Sequence, residues 1–282
     1  MSDPIDIDHL RTWIGREETV EEALTDELVK RFAAVTGYSI PSERRGGQVA
    51  PRLVHLCLAP PVVPNEELGP DGHPARGGFL PPVPLPNRMW AGGDMTFHRD
   101  LTCGRLVKRR SRIEDVVLKN GRTGPLCFVT VRHRIQDSVG LAVEERQDIV
   151  YRGATGDTPI RAQAATAPGV HIEPVRADAT VLFRYSAITF NGHRIHYDQP
   201  YVTQVEGYPG LIVHGPLQAT WLCHLAERLR GTPPKRFKFR SLAPLFDVDT
   251  VTLNAAEGDD RVLRLWTAAE GGPIAMEAVA EW

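Results

Sequence analysis

The chain has 282 residues, 42% hydrophobic and 24% charged, which suits one large or two small soluble domains with a sizeable core. A net charge of −2 and a pI near 6.6 exclude a general electrostatic affinity for nucleic acid. No apolar run approaches the ~20 residues a membrane helix needs, and the acidic opening Met1–His9 reads neither as a secretory signal nor as a basic transit peptide, so a cytoplasmic protein is expected. The four cysteines, Cys57, Cys103, Cys127 and Cys223, lie far apart with no Cys-x-x-Cys pair, which excludes a zinc ribbon or dithiol motif and predicts reduced thiols.

Residues 8–38 read as helical, with Thr25, Asp26 and Glu27 opening a segment that puts Leu28, Phe32 and Val35 on one face. Residues 51–90 hold ten of the 23 prolines, so no long helix or central strand can run there. The segment 77–86, Gly-Gly-Phe-Leu-Pro-Pro-Val-Pro-Leu-Pro, is too apolar for a solvated linker and predicts an ordered, packed loop, with a ligand-cleft lining as the functional option. From residue 93 the period becomes two: Met95, Phe97 and Arg99, then 105–117, a turn at 120–124, 126–135 and 141–151 predict an antiparallel meander. Residues 153–170 have a linker composition. The segment 178–189 approaches a polar knot at 191–198. A helix is predicted over 216–230, with Pro216 in its first turn and Gly231 at its stop. Strands at 235–242, 248–255, 260–268 and 273–281 follow.

Leu101–Val107 lines up with Leu245–Val251 at an offset of 144 residues, each leading into a strand. Two tandem units are therefore expected, 1–152 and 171–282, joined by the linker at 153–170. The first unit has lost most of its regular helix to prolines.

The densest polar cluster is Thr189-Phe-Asn191-Gly-His193-Arg194-Ile195-His196-Tyr-Asp198, followed by Gly210-Leu-Ile-Val-His214-Gly215 and the helix. His193, His196 and Asp198 have ligand chemistry, but no further acidic cluster completes a site, so no metal is expected. His196 suits proton transfer near neutrality. The Asn191 amide can hold a water. The N–H of Gly215, at a helix N-terminus, can stabilise a developing oxyanion. Polar residues in such a loop can equally serve only to satisfy turns.

These segments resemble the MaoC-like hydratase signature Asp-x-Asn-Pro-Leu-His-x-Asp with Gly-x-Ile-x-His-Gly. Asn191 stands in the aspartate position and Arg194 in the proline position. This version, together with 77–86 and Met89-Trp90-Ala-Gly-Gly93, is similar to the branch of type 2 hydroxyacyl-thioester dehydratases and mesaconyl-CoA/itaconyl-CoA hydratases, over about residue 8 to 282. The resemblance implies an α+β tandem (double) hotdog, each unit an antiparallel sheet wrapped round a central helix, the second unit catalytic. It also implies an enoyl-CoA hydro-lyase with coenzyme A entering only as part of the substrate and no separate cofactor. His196, Asn191 and Gly215 are then the catalytic candidates, and Arg184, Tyr185, Arg194, His214, Arg88 and Trp90 the substrate-binding ones. The distal carboxylate of a mesaconyl or itaconyl group calls for an arginine, Arg184, Arg194 or Arg88. Lys108-Arg109-Arg110 with Arg112, and Lys235-Arg236 with Lys238 and Arg240, are the basic clusters available for CoA phosphates. A homodimer is compatible with such units. The competing classes are a hotdog thioesterase, for which the predicted helix offers only Glu227, about three turns in, and a non-catalytic acyl-CoA binding module.

Overall fold

The computed structural model describes residues 5–40, 47–121, 124–153, 164–258 and 261–282. Most of the predicted linker, and the tips of the turns at 120–124 and 257–260, lie outside the described residues. One half contributes β1 (Glu17–Ala23), β2 (Asn87–Phe97), β3 (Leu106–Gly121), β4 (Gly124–Asp137) and β5 (Gly140–Arg152). The other contributes β6 (His171–Val175), β7 (Arg236–Ser241), β8 (Val251–Glu257), β9 (Val262–Ala269) and β10 (Ile274–Glu281). They form one sheet in the order β1-β3-β4-β5-β2-β7-β10-β9-β8-β6, antiparallel throughout.

That order is symmetric about its middle. At the seam β2 pairs with β7, and Asp94 stands opposite Lys238, residues separated by the same 144-residue offset seen in the sequence. A local twofold axis therefore runs through this pair. The flanking loops obey it too: Leu101 O accepts from Ala50 N–H and Leu245 O accepts from Val213 N–H, while Cys103 N–H donates to Gln48 O and Asp247 N–H to Leu211 O. The architecture is the double hotdog that the resemblance implies.

The helices are α1 (Ile7–Arg11), α2 (Asp26–Thr36), α3 (Ala179–Ile188) and α4 (Gly215–Arg230). None is long and apolar enough to cross a membrane. α4 starts at Gly215-Pro216 and stops where Gly231 takes φ 71 and donates to Glu227 O. It is buried from Leu217 to Ala226 and packs with Phe237, Leu253, Leu265 and Met276 in the main core. Each such side chain contributes about 1.5–3 kcal/mol.

Among the described residues, the first half has no counterpart to α4. Its place is taken by a 3-10 turn, Val54–Cys57, between Leu53 and Ala59, both in left-handed backbone (φ 67 and φ 50). The proline-rich loop helps fill the vacancy. Val83 and Leu85, with Leu10 of α1, pack on Ile113, Val129, Val131 and Ile149. Val129 and Val131 share one face of β4 with Ile135 of the main core, so the loop covers the face that a helix would cover. Between the two clusters that face carries a polar belt: His133 bonds Ser111 Oγ (2.8 Å) and Gln147 Oε1 (3.1 Å), and His55 faces Glu145 at 3.3 Å. Pairing offsets the cost of burying these groups.

The helix predicted over 8–38 is corrected to α1, β1 and α2. Only the last has the predicted cap, with Thr25 Oγ1 accepting from Leu28 N–H at 3.1 Å. Thr19 and Val20 lie in β1 because Glu17, Glu18 and Glu21 face Arg112, Arg109, Arg110 and Lys108 of β3. Residues 178–189, read only as an approach to the knot, contain α3.

The seam permits no side chain at two positions of β2. A Cβ on Gly93 would stand 2.6 Å from the Phe239 ring, and one on Gly92 2.8 Å from Phe239 O. Gly93→Val is expected to cost about 1–3 kcal/mol by overpacking, read as a lower denaturant midpoint. A midpoint equal to that of the parent would contradict the close approach.

Candidate functional site

The polar knot is shaped by the way α3 ends. Thr189 Oγ1 donates to Tyr185 O (2.7 Å), Phe190 takes φ 51, and Asn191 N–H closes onto Ser186 O (2.8 Å). A left-handed non-glycine residue costs roughly 1–2 kcal/mol, offset here by the closing hydrogen bonds. Ser186 serves twice, since its hydroxyl also pairs with His214 Nε2 at 2.8 Å. One residue thus ties the knot to the segment that opens α4.

His196 is buried, and its Nδ1 lies 2.7 Å from Ile212 O. Ile212 N–H in turn donates to Ile195 O at 2.9 Å, so the two motif segments are laced together. A carbonyl only accepts, so Nδ1 carries the hydrogen and Nε2 keeps a lone pair. His214 stacks on His196, with ring centroids 3.6 Å apart and planes 20° apart. Burial pushes the His196 pKa down to about 4, against the pull of the Ile212 carbonyl. Burial, with His196 and His193 adding to it, also holds His214 well below its ordinary value. Both rings are neutral at pH 7.

Gly215 directly follows His214 and begins α4. Its N–H is among the helical donors without an intrahelical acceptor, and Pro216 has none to offer. A Cβ at 215 would meet nothing closer than 3.9 Å, and its φ is not left-handed. The protein's own packing therefore does not require glycine there. Asn191 Oδ1 accepts from His193 N–H at 3.0 Å, which leaves its amide nitrogen as the group it can offer. Tyr185 is buried edge-on to His214 at 5.0 Å. Trp90 reaches the α4 end through Ser241: Ser241 Oγ donates to Trp90 O (2.9 Å) and stands 3.9 Å from a Cβ at 215. Its buried indole N–H has no partner among the described residues.

The candidate arginines separate. Arg194 is committed to Asp198 (2.9 Å), to Pro70 O (3.0 Å) and to the Tyr201 ring. Arg184 lies exposed on α3. Arg88 is half-buried in β2, and its charge adds to burial in depressing His73 and His193. Asp198 does not orient His196, because it pairs with Arg194 and accepts from Tyr201 N–H.

Two residues at the site were not anticipated, Asp71 and His73. They arrive on the proline-glycine loop of the first half. His73 Nδ1 lies 3.2 Å from Asp71 Oδ2, and its ring is 4.1 Å from that of His193, which stands 5.5 Å from that of His196. Burial is the largest influence on Asp71 and pushes it up, but the His73 hydrogen bond and the neighbouring imidazoles outweigh it and hold the carboxyl below its usual range. Burial lowers His73 and His193 as well. Asp71, His73 and His193 bring one donor atom each within 4.8 Å of one another, a closeness that the Asp71–His73 hydrogen bond and the ring contact account for. Their common signal in the sequence is a repeated pattern, Asp71-Gly-His73 and Asn191-Gly-His193.

The basic clusters are largely satisfied within the sheet. Lys108, Arg109, Arg110 and Arg112 pair with the β1 glutamates, and Arg236 and Lys238 face Asp94. Glu227, the carboxylate a thioesterase would need, is hydrogen-bonded by Tyr38 Oη at 3.0 Å.

The double hotdog thus opens α4, the central helix of its second half, beside a buried, neutral histidine. The hydroxyacyl-thioester dehydratase type 2 family model matches residues 53–247. The mesaconyl-C(4)-CoA hydratase of Chloroflexus aurantiacus is 42% identical over 275 residues, covering 95% of this chain and 96% of its own. The chain belongs to the hydroxyacyl-thioester dehydratase type 2 family, and it is a hydro-lyase. Solved structures share the fold. HtdX of Mycobacterium tuberculosis superposes with a TM-score of 0.66 at 23% identity, over 94% of this chain and 98% of that one. A second M. tuberculosis protein, described as a double hotdog, gives 0.61 at 13% identity, over 95% and 94%.

The neutral His196 sets the expected pH behaviour. The acid limb of kcat/KM should fall near pH 4, and a limb near 6.5 would assign the base elsewhere. Its folded pKa lies below the ordinary 6.5, so between the two values the unfolded chain binds a proton that the folded site refuses. Stability therefore falls as pH drops from 6.5 toward 4 and is indifferent to this group above 6.5. Gly215→Ala keeps the N–H at the start of α4 but puts a methyl into the open space before it, so it should leave the melting temperature unchanged and lower kcat/KM at least tenfold, whereas an unaltered kcat/KM would show that substrate does not approach this helix end.

Proposed function

We propose that the chain reversibly hydrates the double bond of a short, branched dicarboxylic 2-enoyl-CoA, mesaconyl-CoA activated at carbon 4, giving citramalyl-CoA; itaconyl-CoA, the unconjugated 3-enoyl isomer that gives the same product, is the other candidate substrate. The observation that carries the chemistry is the free Nε2 lone pair of a buried, neutral His196 beside the opening of α4. Thioester conjugation makes the β-carbon electrophilic. His196 Nε2 accepts the proton of the attacking water, and the Asn191 amide nitrogen holds that water. Charge moves onto the thioester oxygen, where the Gly215 N–H and the α4 dipole stabilise it; losing such a donor typically costs ~10²–10³ in rate. Tyr185 and His214 brace the base, and Trp90 borders the same helix end.

The substrate class is supported by the C. aurantiacus relative, whose name specifies mesaconyl-C(4)-CoA, and by Arg88, the candidate arginine whose field reaches the histidine cluster. Arginine suits a distal carboxylate through its bidentate fork. The family description, a hydroxyacyl-thioester dehydratase, favours a second reading in which the acyl chain is fatty.

A panel of mesaconyl-, itaconyl-, crotonyl- and long-chain enoyl-CoA, followed by mass spectrometry, tests the choice. The dicarboxylic substrates should gain one water, and preferential turnover of the long-chain ones would select the second reading. Arg88→Gln should lower kcat/KM for the dicarboxylic substrates at least tenfold more than for crotonyl-CoA. His196→Ala should cost about 10²–10⁴ in kcat while acyl-CoA affinity stays within a few fold.

A further inference from the structure

The first half places over the knot a turn of the same build as the knot itself. In Asp71-Gly72-His73 and in Asn191-Gly192-His193, the first side chain's Oδ1 accepts from the third residue's N–H, at 3.1 and 3.0 Å. The two turns touch at their glycines. A Cβ on Gly72, which has φ +84, would lie 2.0 Å from Gly192 O, and one on Gly192 would lie 2.5 Å from Gly72 O. Arg194 locks the contact through its N–H to Asp71 O (2.9 Å) and its guanidinium to Pro70 O (3.0 Å). The result is a continuous series, Asp71, His73, His193, His196, with ring centroids 4.1 and 5.5 Å apart along it. The turns differ chemically in one respect: Asn191 brings an amide and Asp71 a carboxylate. The second oxygen of that carboxylate, 3.2 Å from His73 Nδ1, holds the hydrogen there and leaves Nε2 with a lone pair.

We propose that Asp71 and His73 are the second acid–base unit of this enzyme, and that they supply from the first half the carboxylate missing at position 191. The inference rests on the hydratase reading. The protons balance with all three imidazoles neutral at rest. In dehydration, His73 Nε2 takes the α-proton of the hydroxyacyl thioester, the C–H pair becomes the enolate, and Asp71 offsets the imidazolium charge. The proton crosses His193 to His196, which delivers it to the β-hydroxyl. The C–O bond breaks, water leaves and the enolate pair forms the double bond. Hydration is the reverse, and no other reactant is needed. His73 is then a catalytic residue, and Asp71 acts through it as a positioning residue.

The test separates removal of the α-proton from loss of water. Wild type, His196→Gln, His73→Gln and Asp71→Asn are each incubated in deuterium oxide with the 3-hydroxyacyl-CoA product, and deuterium at the α-carbon is read by mass. Asp71→Asn keeps the turn, as Asn191 demonstrates at the matching position, so it reports even where His73→Gln unfolds. His196→Gln should block elimination but retain exchange within about tenfold of wild type. His73→Gln should lose exchange and elimination by at least 10², in line with general acid–base catalysis. Asp71→Asn should lose both at least tenfold with KM within threefold. Exchange lost in His196→Gln and kept in His73→Gln would overturn the pair and leave the hydratase reading standing. So would a stoichiometric divalent metal whose removal by chelator abolishes exchange and which is absent from His73→Gln. Wild type that exchanges through His73 but hydrates no enoyl-CoA would sink the hydratase reading and leave the pair in place.

Discussion

Everything at the site depends on the pairing of β2 with β7. This seam makes one sheet of two units and sets Asp94 against Lys238 on the local twofold axis. It closes because Gly92 and Gly93 let the Phe239 backbone and ring approach to distances no side chain would allow. With the seam in place, the first half's long loop is held within reach of the second half's knot. Neither unit alone contains all four members of the series from Asp71 to His196.

The two units have divided their roles by divergence in one element. The second keeps α4, whose buried flank anchors the core and whose N-terminus opens beside the stacked His196 and His214 rings. In the first, prolines leave a 3-10 turn and a loop that packs Val83 and Leu85 into the space. A helix spends its length on regular hydrogen bonds and can project only its ends. A loop can reach across, and this one delivers Asp71 and His73.

Dryness is the other organising feature. His193, His196 and His214 are all buried, and each is held neutral by its surroundings. A neutral imidazole can take a proton, and a low-dielectric pocket strengthens the field of a helix end. For His196 and His214, orientation comes from one backbone carbonyl, Ile212 O, and one serine, Ser186, not from a carboxylate beside His196. The asparagine at 191 is consistent with this: an anion there would raise the pKa of its neighbours.

The residue pattern alone determined the features whose cause is local. The alternation of 105–117, 126–135 and 141–151 marks strands because a pleated strand with one buried face has period two. Gly215-Pro216 and Gly231 bracket α4 because backbone geometry selects those residues at helix ends. The Asn191–Asp198 and Gly210–Gly215 segments mark a candidate site because most of its polar side chains are concentrated in two short stretches. The fold decided whatever depended on partners distant in sequence. β1 reads as helical in the sequence because its glutamates find their partners only on β3, about ninety residues away. Arg194 reads as a candidate substrate clamp from the sequence, but Pro70 O and Asp198 hold it in the fold. Asp71 and His73 lie 120 residues before the residues they match, in a proline-glycine stretch with no period to read. Only the close contact of Gly72 with Gly192, itself a product of the seam between the two halves, makes them part of the site.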